Sequence, residues 1–204
     1  MPISYRYKAI FVHIPKTAGT SIYDLLEIPM QPNALYSPAK HLPSLQHLTP
    51  TQLRQRIPKL MSNYYKFTVV RNPYDRAVSD FRFLKSKLPK RYDISTFKKY
   101  LLLARRIVRT NAYLENVFFD HFRPQTHYFQ NIKYNKVVKF ENLENDLEGV
   151  KRDLKCNRNL IWRLRTSKVH GPLNYRTYYN NDNELRKIVE NIYGDDLKRF
   201  NYSF

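Results

Sequence analysis

A lysine, a glycine and several hydroxyl side chains stand together in the segment HIPKTAGTS, residues 13–21. A run typical of a buried strand, Lys8–Ile14, leads into it, and a segment with helical apolar spacing, Thr20–Ile28, follows. Backbone N–H groups at a helix start have no partner inside the helix and bind phosphate. Gly19 lets the backbone approach an oxygen, and Lys16 adds a cation. The pattern predicts a phosphate-binding turn, but its spacing is not that of nucleotide-triphosphate loops, and a capped turn with a surface lysine is the alternative.

A second group follows the next apolar run, Lys66–Val70, in the segment VVRNPYDRAVSDF. Arg71 stands at the carboxyl end of this predicted strand, where the ligands of open α/β sheets bind. Arg71 and Ser79 are placed to reach one phosphate, through a charge-assisted fork and a hydroxyl respectively. We interpret Asp75 and Arg76 as members of ion pairs on the helix surface.

The order of apolar runs and helical patterns predicts the fold class. Residues 29–50 carry five prolines and are expected to be loop-rich. The other predicted elements are a strand at Asn135–Phe140, a helix starting at Thr49-Pro50, and helices at Pro73–Leu84, Phe97–Val108, Val117–Phe129, Leu143–Leu154 and Asn183–Tyr193. Strands that alternate with helices predict an α/β fold, a single P-loop-like domain over residues 1–204 with a central parallel sheet flanked by helices.

Composition narrows the class of protein further. The 204 residues carry a net charge of +19, which attracts polyanions such as nucleic acid, acidic glycans, anionic membranes or nucleotides. A single cysteine excludes an intrachain disulfide framework and a cysteine-rich zinc site. There is no apolar run of about 18 residues and no signal sequence, so we expect a cytoplasmic protein without a membrane span.

Together, the two motifs closely resemble the nucleotide-binding signatures of the carbohydrate sulfotransferase family, which uses 3′-phosphoadenosine 5′-phosphosulfate (PAPS). The resemblance implies that the first motif holds the 5′-phosphosulfate and the second holds the 3′-phosphate. The matching positions are Lys16, Thr17, Ala18, Gly19, Thr20 and Ser21 in the first motif, and Arg71 and Ser79 in the second. Weaker likenesses occur in HFRPQTHYF (121–129), KFENLENDL (139–147) and YGDDLKRFNYSF (193–204), so the resemblance extends over nearly the whole chain.

The resemblance also implies how the reaction is catalysed. Sulfuryl transfer depends on positioning and on stabilising charge at the leaving oxygen, a task for which Lys16 is placed. A sulfo group carries less charge than a terminal phosphate, and the sequence has no metal-binding motif, so we expect no metal. The acceptor hydroxyl needs a base, and the family's base lies between the two motifs, where His47 is the first choice and His41 the second. Structural roles are expected for the other histidines, His13, His121, His127 and His170.

Two further regions have less specific patterns. The resemblance implies that the region of Tyr175 and Arg176 closes over the nucleotide and contacts adenine or the 3′-phosphate. Basic residues that line a groove for an anionic glycan, or form a solvated helix face, are Lys85, Lys87, Lys90, Arg91, Lys98, Lys99, Arg105, Arg106 and Arg109.

The sequence therefore predicts a PAPS-dependent sulfotransferase that acts on a hydroxyl acceptor, in the first place a carbohydrate, by in-line transfer. Two alternatives stay open. One is a nucleotide-dependent P-loop kinase, which would need ATP and Mg²⁺. The other is a non-catalytic nucleic-acid-binding module, but no nucleic-acid recognition signature is present and we expect no nucleic-acid partner.

Overall fold

A computed structural model describes residues 2–29, 45–113, 115–161 and 174–204 of the protein. Its sheet has four strands in the order β1 (Ile3–Ser4), β2 (Ala9–Val12), β3 (Tyr65–Val70) and β4 (Lys136–Lys139). Strand β1 runs antiparallel to β2, whereas β2, β3 and β4 are parallel. In the parallel register, Phe11 pairs with Phe67 and Val69 pairs with Val138.

Helices cover both faces of this sheet. They are α1 (Gly19–Leu25), α2 (Pro50–Arg56), α3 (Pro58–Asn63), α4 (Pro73–Leu84), α5 (Phe97–Thr110), α6 (Leu143–Leu154) and α7 (Asn183–Phe200). Short 3₁₀ helices lie at Phe119–Phe122, Gln125–Phe129, Phe140–Asn142 and Tyr175–Tyr178.

The alternation of side chains along the strands builds two layers of core. Phe11 and Phe67 point to one face and pack with α1 and α6. Val12 and Val70 point to the other face and pack with α2, α3 and the end of α7. Helices α4, α5 and α7 form a third apolar cluster beside the sheet. The carboxyl ends of β2 and β3 therefore open at one edge of the sheet, next to the start of α1 and α4.

The predicted α/β class is confirmed, with three corrections. The two-residue strand β1 was not predicted, and it makes the edge of the sheet antiparallel. The helix predicted from Pro50 is two helices, because Pro58 cannot continue the hydrogen bonding and holds Ile57 outside the helical region at φ −137°. The single helix predicted at Val117–Phe129 is wrong, since Pro124 separates two 3₁₀ helices there.

No helix within the described ranges is long and apolar enough to cross a bilayer. The cytoplasmic location expected from the sequence stays a prediction.

Candidate active site

The loop after β2 has an unusual backbone. Lys16 and Ala18, neither of them a glycine, have positive φ angles of 68° and 63°. Conformations of this kind cost free energy and concentrate at functional sites. Thr17 between them is fully buried, and its hydroxyl donates to the carbonyl oxygen of Ile14 at 2.8 Å. The Thr17 hydroxyl is therefore engaged within the loop itself.

The start of α1 is packed against the imidazole of His13. A Cβ atom added to Gly19 would lie 1.9 Å from His13 Nε2, so only glycine permits this approach. Nδ1 of the same ring lies 3.2 Å from the Tyr23 hydroxyl. Thr20 and Ser21 complete the first turn of α1, with Thr20 half-buried and Ser21 buried. His13 thus packs directly against the start of α1.

We expect Gly19→Ala to destabilise the protein by about 1–3 kcal/mol, because the new methyl group overlaps a ring that is itself buried against Phe11. Urea unfolding measures the effect. The matched control is Gly194→Ala in α7, where an added Cβ meets nothing within 4 Å and alanine favours the helix. Equal stability of Gly19→Ala and wild type would contradict the close packing of His13.

Arg71 joins the second motif to the first. It follows the last residue of β3, and its Nη1 donates to the carbonyl oxygen of Lys16 at 2.9 Å. Its Nε donates to Asp75 at 2.8 Å, and the guanidinium lies over the ring of Phe140 at 3.9 Å. The two motifs, 55 residues apart at these positions, therefore meet at the carboxyl edge of β2 and β3.

The turn that carries Arg71 is held by three distant segments. Gln125 bonds both the backbone N–H and the carbonyl of Arg71, each at 2.9 Å. Asp196 in α7 accepts from the Gln125 N–H at 2.8 Å, and Glu141 accepts from the Asn72 N–H at 2.6 Å. These three residues belong to HFRPQTHYF, YGDDLKRFNYSF and KFENLENDL respectively. The weaker sequence likenesses thus converge on one turn.

A buried pair of His47 and Asp120 lies beside the first motif. His47 Nδ1 is 2.9 Å from Asp120 Oδ2, and both side chains are at least 96% buried. The His47 ring stands edge-on to His13, with centroids 4.7 Å apart. Burial lowers the pKa of His47 below its ordinary 6.5, against the attraction of Asp120. The neutral ring donates from Nδ1 to the carboxylate, which leaves the Nε2 lone pair as a proton acceptor.

A second buried histidine–aspartate pair lies next to the first. We call the two, His47–Asp120 and His121–Asp80, the crossed pairs. His121, the residue after Asp120, donates from Nδ1 to Asp80 Oδ1 at 2.6 Å, and its ring stands edge-on to His47 at 5.0 Å. Burial raises the pKa of the Asp80 carboxyl. The hydrogen bond from His121 and the charges of Lys16 and Arg76 lower that pKa more, so the carboxyl is ionised at neutral pH.

Comparison with known proteins identifies the family. Residues 1–203 match the profile of the sulfotransferase family. The chain belongs to this family. Carbohydrate sulfotransferase 11 of Rattus norvegicus is 25% identical over 246 aligned positions, and its Mus musculus counterpart is 24% identical over 237. Each alignment covers 97% of this chain and 65% of the relative, so the chain spans about two thirds of the length of the relatives that it matches. No solved structure matches this chain significantly.

The other predicted site residues are placed less directly. Ser79 is half-buried in α4, one helical turn beyond Asp75, the partner of Arg71. Tyr175 stands edge-on to Phe204, and Arg176 lies over the same ring at 4.9 Å. Phe204 in turn packs on Tyr74 at the start of α4. Through Phe204, both residues therefore lie next to the part of the second motif that forms the start of α4. His41 lies outside the described residues.

One interpretation from the sequence is wrong. Arg76 is not part of a surface pair: it is 2% exposed and donates to the carbonyl oxygens of His121 and Arg123 at 3.3 and 3.1 Å. Asp75 pairs with Arg71 instead. The sequence analysis also did not foresee the buried pairs of Asp120 with His47 and of His121 with Asp80. The signal for both is an acidic residue and a histidine inside the apolar run VFFDHF, where polar side chains need buried partners.

The crossed pairs bring together three groups that are able to bind a metal ion. Ligand atoms of His47, Asp120 and His121 lie within 4.8 Å of one another. In the structure, Nδ1 of each histidine faces a carboxylate oxygen, and the groups form two hydrogen-bonded pairs. The expected absence of a metal stays a prediction.

Proposed function

We propose that the protein is a single-domain enzyme that transfers a sulfuryl group from PAPS to a hydroxyl group of a carbohydrate. Membership of the sulfotransferase family and similarity to proteins named carbohydrate sulfotransferase 11 support the reaction class. The observation that carries the proposal is the position of His47. This buried histidine, held by a carboxylate, contacts the ring on which the Lys16 loop is packed.

The hydrogen-bond donors at the sheet edge fit a nucleotide that carries two separate anionic groups. Lys16, the N–H groups of residues 17–20 and the Ser21 side chain would hold the 5′-phosphosulfate, and Arg71 with Ser79 would hold the 3′-phosphate. The Arg71 guanidinium is anchored by Lys16 on one side and stacked on Phe140 on the other, so it is oriented before a ligand arrives. Tyr175 and Arg176, which reach Tyr74 of the second motif through Phe204, would contact the nucleotide.

The two groups nearest the chemistry have complementary tasks. PAPS, when bound, supplies the sulfuryl group and an oxygen that leaves with 3′-phosphoadenosine 5′-phosphate (PAP). Lys16 places a positive charge where the leaving oxygen becomes negative. His47 accepts the proton of the acceptor hydroxyl at Nε2, while Asp120 holds Nδ1 and stabilises the imidazolium that results.

The acceptor is proposed to be a carbohydrate, including an anionic glycan. Part of the predicted basic surface is engaged within the protein, since Lys98 pairs with Glu184 and Lys99 pairs with Asp93. These exposed pairs indicate a solvated helix face, as the sequence analysis allowed. Arg105 and Arg109 instead line a cleft of about 300 Å³ between α5 and α7, where an acidic sugar has room.

Binding of PAP without metal tests the proposed cosubstrate. We expect micromolar affinity by calorimetry, and we expect Arg71→Ala to weaken it by at least about tenfold, or 1.4 kcal/mol, because a charge-assisted fork to the 3′-phosphate is lost. Arg158→Ala is the matched control, since this arginine is exposed and pairs with Glu27 on the surface. The control variant should bind PAP as wild type does.

The same titration separates the alternatives. A P-loop kinase would bind ATP with Mg²⁺ at least as well as it binds PAP. A nucleic-acid-binding module would bind oligonucleotides with a steep salt dependence and would respond equally to both arginine variants. Either result, or no PAP binding, would overturn the sulfotransferase reaction proposed here.

A further inference from the structure

The side chain of Lys16 rests on a surface that links it to the crossed pairs. Its Nζ atom lies 4.3 Å from the centre of the Phe83 ring. Phe83 stacks on His121, with centroids 5.3 Å apart and planes 2° from parallel. His121 is fixed by its 2.6 Å hydrogen bond to Asp80. Attraction between Lys16 and Asp80 is among the interactions that favour the ionised carboxylate.

Helix α4 explains why these groups meet. Arg76, Asp80 and Phe83 are spaced by four and three residues, so they share the face of α4 that points to the site. The Tyr100 hydroxyl from α5 donates to the second oxygen of Asp80 at 3.0 Å, so both carboxylate oxygens are bonded. Helix α4, which begins within the second motif, thus supports Lys16 of the first motif.

We propose that Phe83, His121 and Asp80 are positioning residues that hold the Lys16 ammonium where the reaction needs it. This inference rests on the proposed function. A lysine side chain is long and flexible, and fixing it loses conformational entropy. The aromatic face attracts the ammonium, the stacked imidazole supports that face, and the carboxylate adds a fixed negative charge. The charge is therefore in place before the leaving oxygen develops its own.

We call Phe83, His121 and Asp80 the lysine-positioning group. Phe83→Leu tests this group without removing a buried charge. Its kcat should fall about three- to tenfold, the range expected for a lost cation–π contact, while the affinity for PAP stays unchanged. Phe83→Tyr keeps the aromatic face and should restore kcat. His121→Asn keeps a donor for Asp80 but removes the stacked ring, and it should lower kcat in the same direction.

A spectroscopic readout makes the test independent of turnover. Reductive ¹³C-methylation keeps the lysine charge, and the Lys16 signal is identified by its absence in Lys16→Arg. Methyl protons over an aromatic face are shifted upfield by the ring current. We expect that shift in wild type and Phe83→Tyr, and its loss in Phe83→Leu. Phe129→Leu, which removes a half-buried ring beneath Arg199, is the matched control and should leave the signal unchanged.

The outcomes separate this inference from the proposed function. If the Lys16 signal and kcat are the same in wild type, Phe83→Leu and His121→Asn, the role of the lysine-positioning group is refuted even when PAP binds. If PAP fails to bind while the upfield shift is present and depends on Phe83, the contact that holds Lys16 is supported and the proposed function fails.

Discussion

Replacing His47 by glutamine is expected to lower kcat by about 10²–10⁴-fold, the usual contribution of a general base. Glutamine fills similar space and still donates a hydrogen bond to Asp120, so the buried carboxylate keeps a partner. What is lost is a group able to take a proton. Steady-state kinetics with a hydroxyl acceptor and a PAP titration together measure the effect. The affinity for PAP should be unchanged.

The pH profile distinguishes a base from a structural histidine. Only the neutral imidazole accepts a proton, so activity falls as acid protonates His47. Because burial lowers the pKa of His47 below 6.5, the midpoint of the acid decline in wild-type activity should lie below pH 6.5. Asp120→Asn removes an interaction that raises this pKa, so the decline should move to still lower pH while kcat drops.

His127→Gln provides the matched control for these variants. His127 is half-buried outside the crossed pairs, and its ring stands edge-on to Tyr113. This substitution should leave both kcat and the pH profile as in wild type. A His47→Gln enzyme with kcat within about tenfold of wild type would show that the base is another group, and His41 would be the next variant to make.

Local signals made part of the fold predictable. The bounds of α4, Pro73–Leu84, and of α6, Leu143–Leu154, are the predicted ones, because a proline start or a continuous apolar face marks each helix in its own sequence. Strand β1 has only two residues, and its pairing with Ile10 and Ala9 alone defines it. A pattern of two residues carries no period, so no local signal could have found it.

In the candidate site, too, some positions could be predicted from local sequence patterns, whereas others depend on contacts between distant segments. Lys16 and Arg71 could be predicted because each follows an apolar strand, and parallel strands end at one edge of a sheet. The pairing of His47 with Asp120 spans 73 residues, and that of Asp80 with His121 spans 41. Contacts of the 3₁₀ helix Phe119–Phe122 with Asp80 in α4, and with His47 before α2, bring those partners together. Roles that depend on such contacts cannot be read from spacing along the chain.

Lys16→Met is expected to lower kcat by about 10²–10³-fold, because removal of one preorganised charge from a developing anion has that effect in other enzymes. Methionine has a similar length and packs against an aromatic ring, so the contact with Phe83 is kept and only the charge is lost. PAP should bind at most about tenfold more weakly, since Arg71 and the backbone of the loop still hold the nucleotide. Turnover and calorimetry measure the two effects separately.

Lys16→Arg and Lys151→Met sharpen this test. Arginine restores the charge but spreads it over a planar fork, so Lys16→Arg should recover only part of the lost kcat. Lys151 pairs with Glu148 within α6, away from the site residues, and Lys151→Met controls for the general effect of removing one positive charge. If Lys16→Met lost PAP affinity as steeply as it lost kcat, the lysine would be a uniform binding group, equally strong before and during the reaction. A loss confined to kcat would indicate that the Lys16 ammonium acts on the leaving oxygen during the reaction, when bond breaking makes that oxygen negative.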